Sequence, residues 1–139
     1  MDIFQKELTI VGTKKGPKLI SSLLEGALND SRMKDGVCQV FCMHTSASLT
    51  INENSDARVC KDLETAFSKL APENYEWEHA DEGPDDMPAH IKTALTGNSL
   101  SIPFSSGKFK LGVWQGVFLW EHRTSVPDRR LFLTFLGSK

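Results

Sequence analysis

The sequence predicts an α+β fold, one domain over 1–139 with a mainly antiparallel sheet packed by two or three helices. Two observations lead there. The chain has 139 residues, the size of one ordinary domain with a real core. Its periodicities run β-α-β-β-α-α-β-β-β, closing on strands separated only by short turns.

Ile3 to Val11 alternates Phe4, Lys6, Leu8 and Ile10 with Gln5, Glu7 and Thr9, a period of two that ends at Gly12 and suits an edge strand. After the Gly12-Thr-Lys-Lys-Gly-Pro loop, Leu19, Ile20, Leu23, Leu24, Ala27 and Leu28 recur at helical spacing, and Pro17 suits the first helical turn because no N–H is needed there. Val37 to His44 is apolar on both faces, as an interior strand would be, and Ser46 to Asn52 is a second strand. Asn54, Ser55 or Asp56 can cap the next helix, whose apolar line Val59, Leu63, Ala66, Phe67 and Leu70 ends before Pro72. A polar, acidic loop over 72–86 leads into a short helix from Pro88 to Gly97, with Asp85 or Asp86 placed to cap its start or complement its dipole. Leu100 to Phe104, Phe109 to Arg123 and Arg130 to Leu136 complete the strands.

A composition of 40% apolar and 24% charged residues, with a formal charge of -2, describes a soluble globular chain and removes any electrostatic reason to expect nucleic acid or an anionic membrane as partner. Cys38, Cys42 and Cys60 form no C-x-x-C pair, which argues against a disulfide framework or thiolate zinc site and for core packing in a reducing cytoplasm. No segment has the charge and apolar pattern of a targeting signal or a membrane span.

Chemistry concentrates in His79-Ala-Asp-Glu-Gly-Pro-Asp-Asp-Met-Pro-Ala-His90, where two histidines and four carboxylates surround a helix start. His44 ends the apolar row Cys38, Val40 and Cys42. Were His44, His79 and His90 to converge, they would form the ligand set of an open divalent site, zinc-like, with water in the remaining position. The acidic run also permits magnesium, completed by a phosphorylated substrate. In the long strand, Gln115, Glu121 and Arg123 share a face with Val113, Val117 and Leu119, while Trp114, Phe118, Trp120 and His122 point the other way. Glu121 with Arg123 is therefore a structural ion pair or part of a site. The Gly12 loop and Ser105-Ser-Gly-Lys match no phosphate-loop pattern.

Three separated stretches carry a resemblance: His44-Thr-Ser-Ala-Ser-Leu-Thr-Ile-Asn-Glu-Asn; His79 with Glu82-Gly-x-Asp-Asp-Met-Pro-Ala-His90; and Gly112-x-Trp-Gln-Gly with Glu121-His-Arg. Through them the chain resembles, from end to end, the YjbQ-like family described as secondary thiamine-phosphate synthase enzymes. The resemblance implies a homotrimer with a polar pocket holding His44, His79 and His90. It also implies a transferase joining a pyrimidine-methyl diphosphate to a thiazole phosphate with release of pyrophosphate. On that reading Glu82, Asp86, Arg123 and Gln115 act on the substrate, and Ser46, Asn54, Lys92 and Trp114 bind it. The alternatives are a non-catalytic trimeric module for a metal or small ligand, and a metal-dependent enzyme acting on a different phosphorylated small molecule.

Overall fold

The protein is described by a computed structural model covering residues 1–12 and 14–139; Thr13, in the loop expected after the first strand, lies outside the described residues. Eleven elements follow one another: β1 (Asp2–Ile10), β2 (Gly16–Leu19), α1 (Ser21–Ser31), β3 (Asp35–Cys42), β4 (Ala47–Glu53), α2 (Ala57–Leu70), α3 (Asp86–Thr96), β5 (Ser99–Ser105), β6 (Lys108–Phe109), β7 (Gln115–Glu121) and β8 (Arg129–Ser138). They build two antiparallel sheets, ordered β1-β8-β3-β5-β6 and β2-β7-β4. The α+β class is as expected, with β1 at an edge and β3 interior.

The core lies between the sheets because each strand alternates its side chains. Cys38, Val40, Cys42, Leu131, Leu133 and Phe135 of the larger sheet meet Ala47, Leu49, Val117 and Leu119 of the smaller, and Leu24, Ala27 and Leu28 of α1 join them. Burial pushes the Cys38 thiol up to about 12, so it stays protonated. The other face of the smaller sheet is buried too. There Trp120 and His122 lie beneath α2, with Phe67 edge-on to Trp120 at a centroid distance of 5.3 Å.

Two local expectations are corrected. Pro17 does not open a helix but lies in β2 opposite Trp120. That strand is an edge, where a missing N–H is tolerated, and Ile20 then occupies the N-cap position of α1. The single strand expected from Phe109 to Arg123 is two, β6 and β7. Between them Gln115 N–H donates to the Gly112 carbonyl at 3.0 Å, while Gly112 N–H donates to Gln115 Oε1 at 2.7 Å, closing a turn.

Helix α2 begins as its capping residues suggest, with Asp56 accepting from Arg58 N–H at 2.9 Å. Helix α3 carries the polar site. It begins at Asp86, runs along β4 and stops at Gly97, whose φ of 98° suits glycine. The carboxylate of Asp85 does not cap this helix, because it is drawn to Arg123 and Thr124 instead.

Candidate metal centre

Asp86 and His90 stand one helical turn apart at the start of α3, so both project from one face toward the 72–85 loop. His79 reaches the same point from that loop. Asp86 Oδ2 lies 2.6 Å from His79 Nε2 and 3.0 Å from His90 Nε2, and the Asp86 side chain is only 3% exposed. The potential ligand atoms of His79, Asp86 and His90 all lie within 4.8 Å of one another.

The surroundings of this trio fix its chemistry. The carbonyl of Thr45 can only accept, so His90 Nδ1, 2.7 Å away, carries a hydrogen and donates it. His90 Nε2 then faces the carboxylate either as a cationic N–H or as a bare lone pair that needs a cation between them. Asp86 Oδ1 accepts from Arg123 Nη1 at 2.6 Å, which leaves Oδ2 directed at the imidazoles. A ligand histidine that donates its second nitrogen to a carbonyl, and a ligand carboxylate anchored through its second oxygen, are the outer-shell supports of metal sites. Around a tetrahedral zinc, ligand atoms stand about 3.3 Å apart, so to admit the ion the His79–Asp86 spacing of 2.6 Å must open by about 0.7 Å and the His90–Asp86 spacing of 3.0 Å by about 0.3 Å, with the imidazoles adjusting around them. The donor set fits a zinc-like cation.

Each of the three guanidinium nitrogens of Arg123 has a partner. Besides Asp86 it donates through Nε to Asp85 Oδ2 at 3.1 Å and through Nη2 to the Glu82 carbonyl at 2.9 Å. Burial works to raise the carboxyls of both aspartates. At Asp85, hydrogen bonds from Thr124 N–H and Arg123 outweigh it; at Asp86, those with His79 and Glu82 and the charges of His90 and Arg123 do so. Both are thus held below the usual carboxylate range. The hydrogen bond to Asp86 in turn raises His79. Glu82 Oε2 stands 3.2 Å from His79 Nε2 on a side chain that is 63% exposed.

The other expected site residues fall elsewhere. His44 is not part of the trio: its Nε2 accepts from Arg130 N–H at 2.7 Å, leaving the hydrogen on Nδ1. Burial, then the charges of Arg129 and Arg130, lower its pKa and keep it neutral. It does line, with Thr45, His90 and Thr93, a surface pocket of about 540 Å³ next to the trio. Ser46 accepts from Arg129 Nη2 at 2.9 Å, within a buried structural pair. Glu121 belongs to that pair, bonding Arg129 through both oxygens at 2.6 Å, and not to Arg123 as the strand spacing suggested. Lys92 shares α3 with His90 but is 1% exposed and faces inward, where burial and Lys15 lower its pKa. Asn54, Trp114 and Gln115 gather at the far end of β7, Asn54 N–H donating to the Trp114 carbonyl at 2.9 Å. Seven residues of strand put them roughly 20 Å from Glu121. Sequence reasoning missed Asp85 as an Arg123 partner and the Thr45 carbonyl as the His90 anchor; the second is a backbone atom with no residue signature.

Fold and cluster together define a class, two-sheet α+β proteins that present a His–Asp–His donor set at a helix start. The chain belongs to the YjbQ/UPF0047 family: residues 6–138 match the family model described as UPF0047 protein YjbQ-like. It is 43% identical to the UPF0047 protein sll1880 of a Synechocystis species, over 95% of this chain and 91% of that one. To the UPF0047 protein YjbQ of Escherichia coli O157:H7 it is 41% identical, over 96% and 98%. A crystal structure of a YjbQ/UPF0047 protein from Clostridium acetobutylicum superposes with a TM-score of 0.82 at 33% identity, covering 96% of this chain and 99% of that one. A Sulfolobus solfataricus structure of a YbjQ-like protein of unknown function reaches a TM-score of 0.90, covering 99% of both chains at 22% identity, which supports the fold alone. No helix among the described residues is long and apolar enough to cross a membrane.

Proposed function

We propose that this chain is a small metal-dependent enzyme in which His79, Asp86 and His90 hold one divalent cation and the substrate is a phosphorylated small molecule. The observation that carries this reading is the meeting of two imidazole Nε2 atoms on one buried carboxylate oxygen, with the second atom of His90 and of Asp86 already tied to the protein. When bound, a zinc-like ion, or magnesium with more of its shell from substrate, supplies Lewis-acid stabilisation of a phosphoryl or diphosphate oxygen. The chain's own residues do the rest. Arg123 keeps Asp85 and Asp86 ionised and oriented, and so is a positioning residue and not the phosphate clamp that its motif suggests. Glu82, exposed beside His79, is the carboxylate placed to take or give a proton at the rim.

The reaction we assign is the thiamine-phosphate-forming condensation, in which a thiazole phosphate displaces pyrophosphate from a pyrimidine-methyl diphosphate. Pockets flank the cluster on its His90 side and on its His79 side, an arrangement that suits two substrates. We take the active form to be a cytoplasmic homotrimer. Protein purified without an affinity tag is analysed for metal and then assayed for pyrophosphate release with both substrates. About one divalent cation per chain, lost in Asp86→Asn, together with turnover that falls 10²-fold or more in Glu82→Gln, is the expected result. Metal-free protein that binds no added Zn²⁺, Mn²⁺ or Mg²⁺ overturns the site. Bound metal and ligand without turnover leave a binding module.

A further inference from the structure

The 72–85 loop carries two aromatic side chains that neither the core nor the metal trio uses. The Tyr75 and Trp77 ring centroids lie 4.5 Å apart with their planes inclined at 46°. Trp77 is pinned twice: Nε1 donates to the Pro72 carbonyl at 2.9 Å and its backbone N–H to the Tyr75 carbonyl at 3.0 Å. Tyr75 remains 62% exposed. With Glu73, His79, Gly83 and Pro84 these rings line a pocket of about 270 Å³. His79 is thus shared: one of its neighbourhoods is the carboxylate of Asp86, the other an aromatic wall.

We propose that Tyr75 and Trp77 form the platform on which the planar nitrogen heterocycle of the substrate lies, its phosphate directed past His79 to the metal trio. The inference rests on the metal-centre reading and assigns the ring of the substrate to residues that the motifs do not mark. Trp114, the aromatic residue the motifs point to, stands at the opposite end of β7 from Glu121 and Arg123, too far for one small molecule to touch both it and His79 of the same chain. Its volume, about 270 Å³, is enough for one planar ring. The Glu73 carboxylate at its edge, with Oε1 3.5 Å from Lys15 Nζ, is placed to accept from a ring amine. The pinned indole of Trp77 loses little freedom on binding, which favours stacking, and the exposed phenol of Tyr75 is accessible beside it.

The test is calorimetric titration of the full Zn²⁺-loaded chain with phenyl phosphate and with methyl phosphate, which differ only in the ring. Stacking predicts that wild type binds phenyl phosphate tighter by roughly five- to one-hundredfold. Tyr75→Ala, which removes one of the two rings, should lower that ratio severalfold with metal content and methyl phosphate affinity unchanged. Tyr75→Phe should retain it, and Trp114→Ala should leave it as in wild type. A second arm is independent of the metal. In EDTA-treated chain, 4-aminopyrimidine should shift the Tyr75 and Trp77 ring NMR signals saturably and leave Trp114 unmoved. Equal affinities for the two phosphates in wild type, a ratio that survives Tyr75→Ala, or aminopyrimidine shifts confined to Trp114 overturn the platform. If the chain binds no metal and neither phosphate, the aminopyrimidine arm alone decides, so failure of the metal reading and failure of the platform are distinguishable.

Discussion

Replacing Arg129 with methionine should destabilise the protein severely, and the structure sets the scale. Arg129 and Glu121 side chains are 4% and 6% exposed, so water screens their attraction little. Arg129 donates through Nε and Nη2 to the two Glu121 oxygens, each at 2.6 Å, and through Nη2 also to Ser46 Oγ at 2.9 Å and its carbonyl at 3.2 Å. In Arg129→Met the Glu121 carboxylate keeps the Arg123 N–H, 3.0 Å from Oε2, and loses its counter-charge in the interior. Removing one member of a buried pair costs about 3–5 kcal/mol. For a domain of 139 residues that is a fall in Tm of roughly 10–20 °C. The assay is urea unfolding followed by circular dichroism at one fixed protein concentration, since any assembly would make stability concentration-dependent. The double variant Arg129→Met with Glu121→Leu removes the orphaned charge as well as its partner, so it should be more stable than Arg129→Met alone, with a coupling energy of at least about 2 kcal/mol. A loss below about 1 kcal/mol in Arg129→Met, or strictly additive single effects, would refute the buried-pair reasoning.

Arg123→Lys cannot reproduce three directed donors toward Asp85, Asp86 and the Glu82 carbonyl, so zinc affinity measured by competition with a chelating dye should fall about 10- to 100-fold while the fold persists. His122 is held neutral by burial, which lowers its pKa to about 3 from the ordinary 6.5. The unfolded chain therefore takes up a proton there that the folded chain refuses. Stability from this group is complete above pH 6.5 and is lost as pH falls toward 3, by up to about 1.4 kcal/mol per pH unit. His122→Phe should flatten the urea midpoint between pH 6.5 and 4.5, and an unaltered slope would show that His122 protonates in place. The outer face of the larger sheet presents Ile3, Leu136, Val37 and Pro103 in register, with Ile3 and Pro103 exposed, and the trimer expectation would bury such a face against another copy. Light scattering should return three times the 15.5 kDa chain mass, and a monomer at micromolar concentration would remove the trimer.

Local periodicity was enough to place most of the elements, because alternation and helical spacing are properties of neighbouring residues. β1, α1, β3, β4, α2, α3, β5 and β8 stand near their expected positions. Part of the candidate site was legible in the same way: His79 and His90 were expected as ligands, and Asp86, expected to act on the substrate, lies four residues from His90 so that any helix there puts the two on one face. Everything that required a choice between distant partners was not legible. Glu121 has an arginine two residues away and another eight away, and strand spacing favours the nearer, but β8 brings Arg129 to Glu121 while the 72–85 loop draws Arg123 to Asp85 and Asp86. His44, His79 and His90 look equivalent as letters, yet a backbone N–H from β8 occupies the lone pair of His44. Trp114, Gln115 and Arg123 read as one motif within ten residues, and an extended strand holds the first two far from the third. The sequence by itself thus determined which residues are regular and which are polar near a helix start. The packing of two sheets and a long loop decided which of those polar groups share a charge, because burial makes an unpaired charge so costly that each one takes whatever opposite charge the tertiary fold delivers.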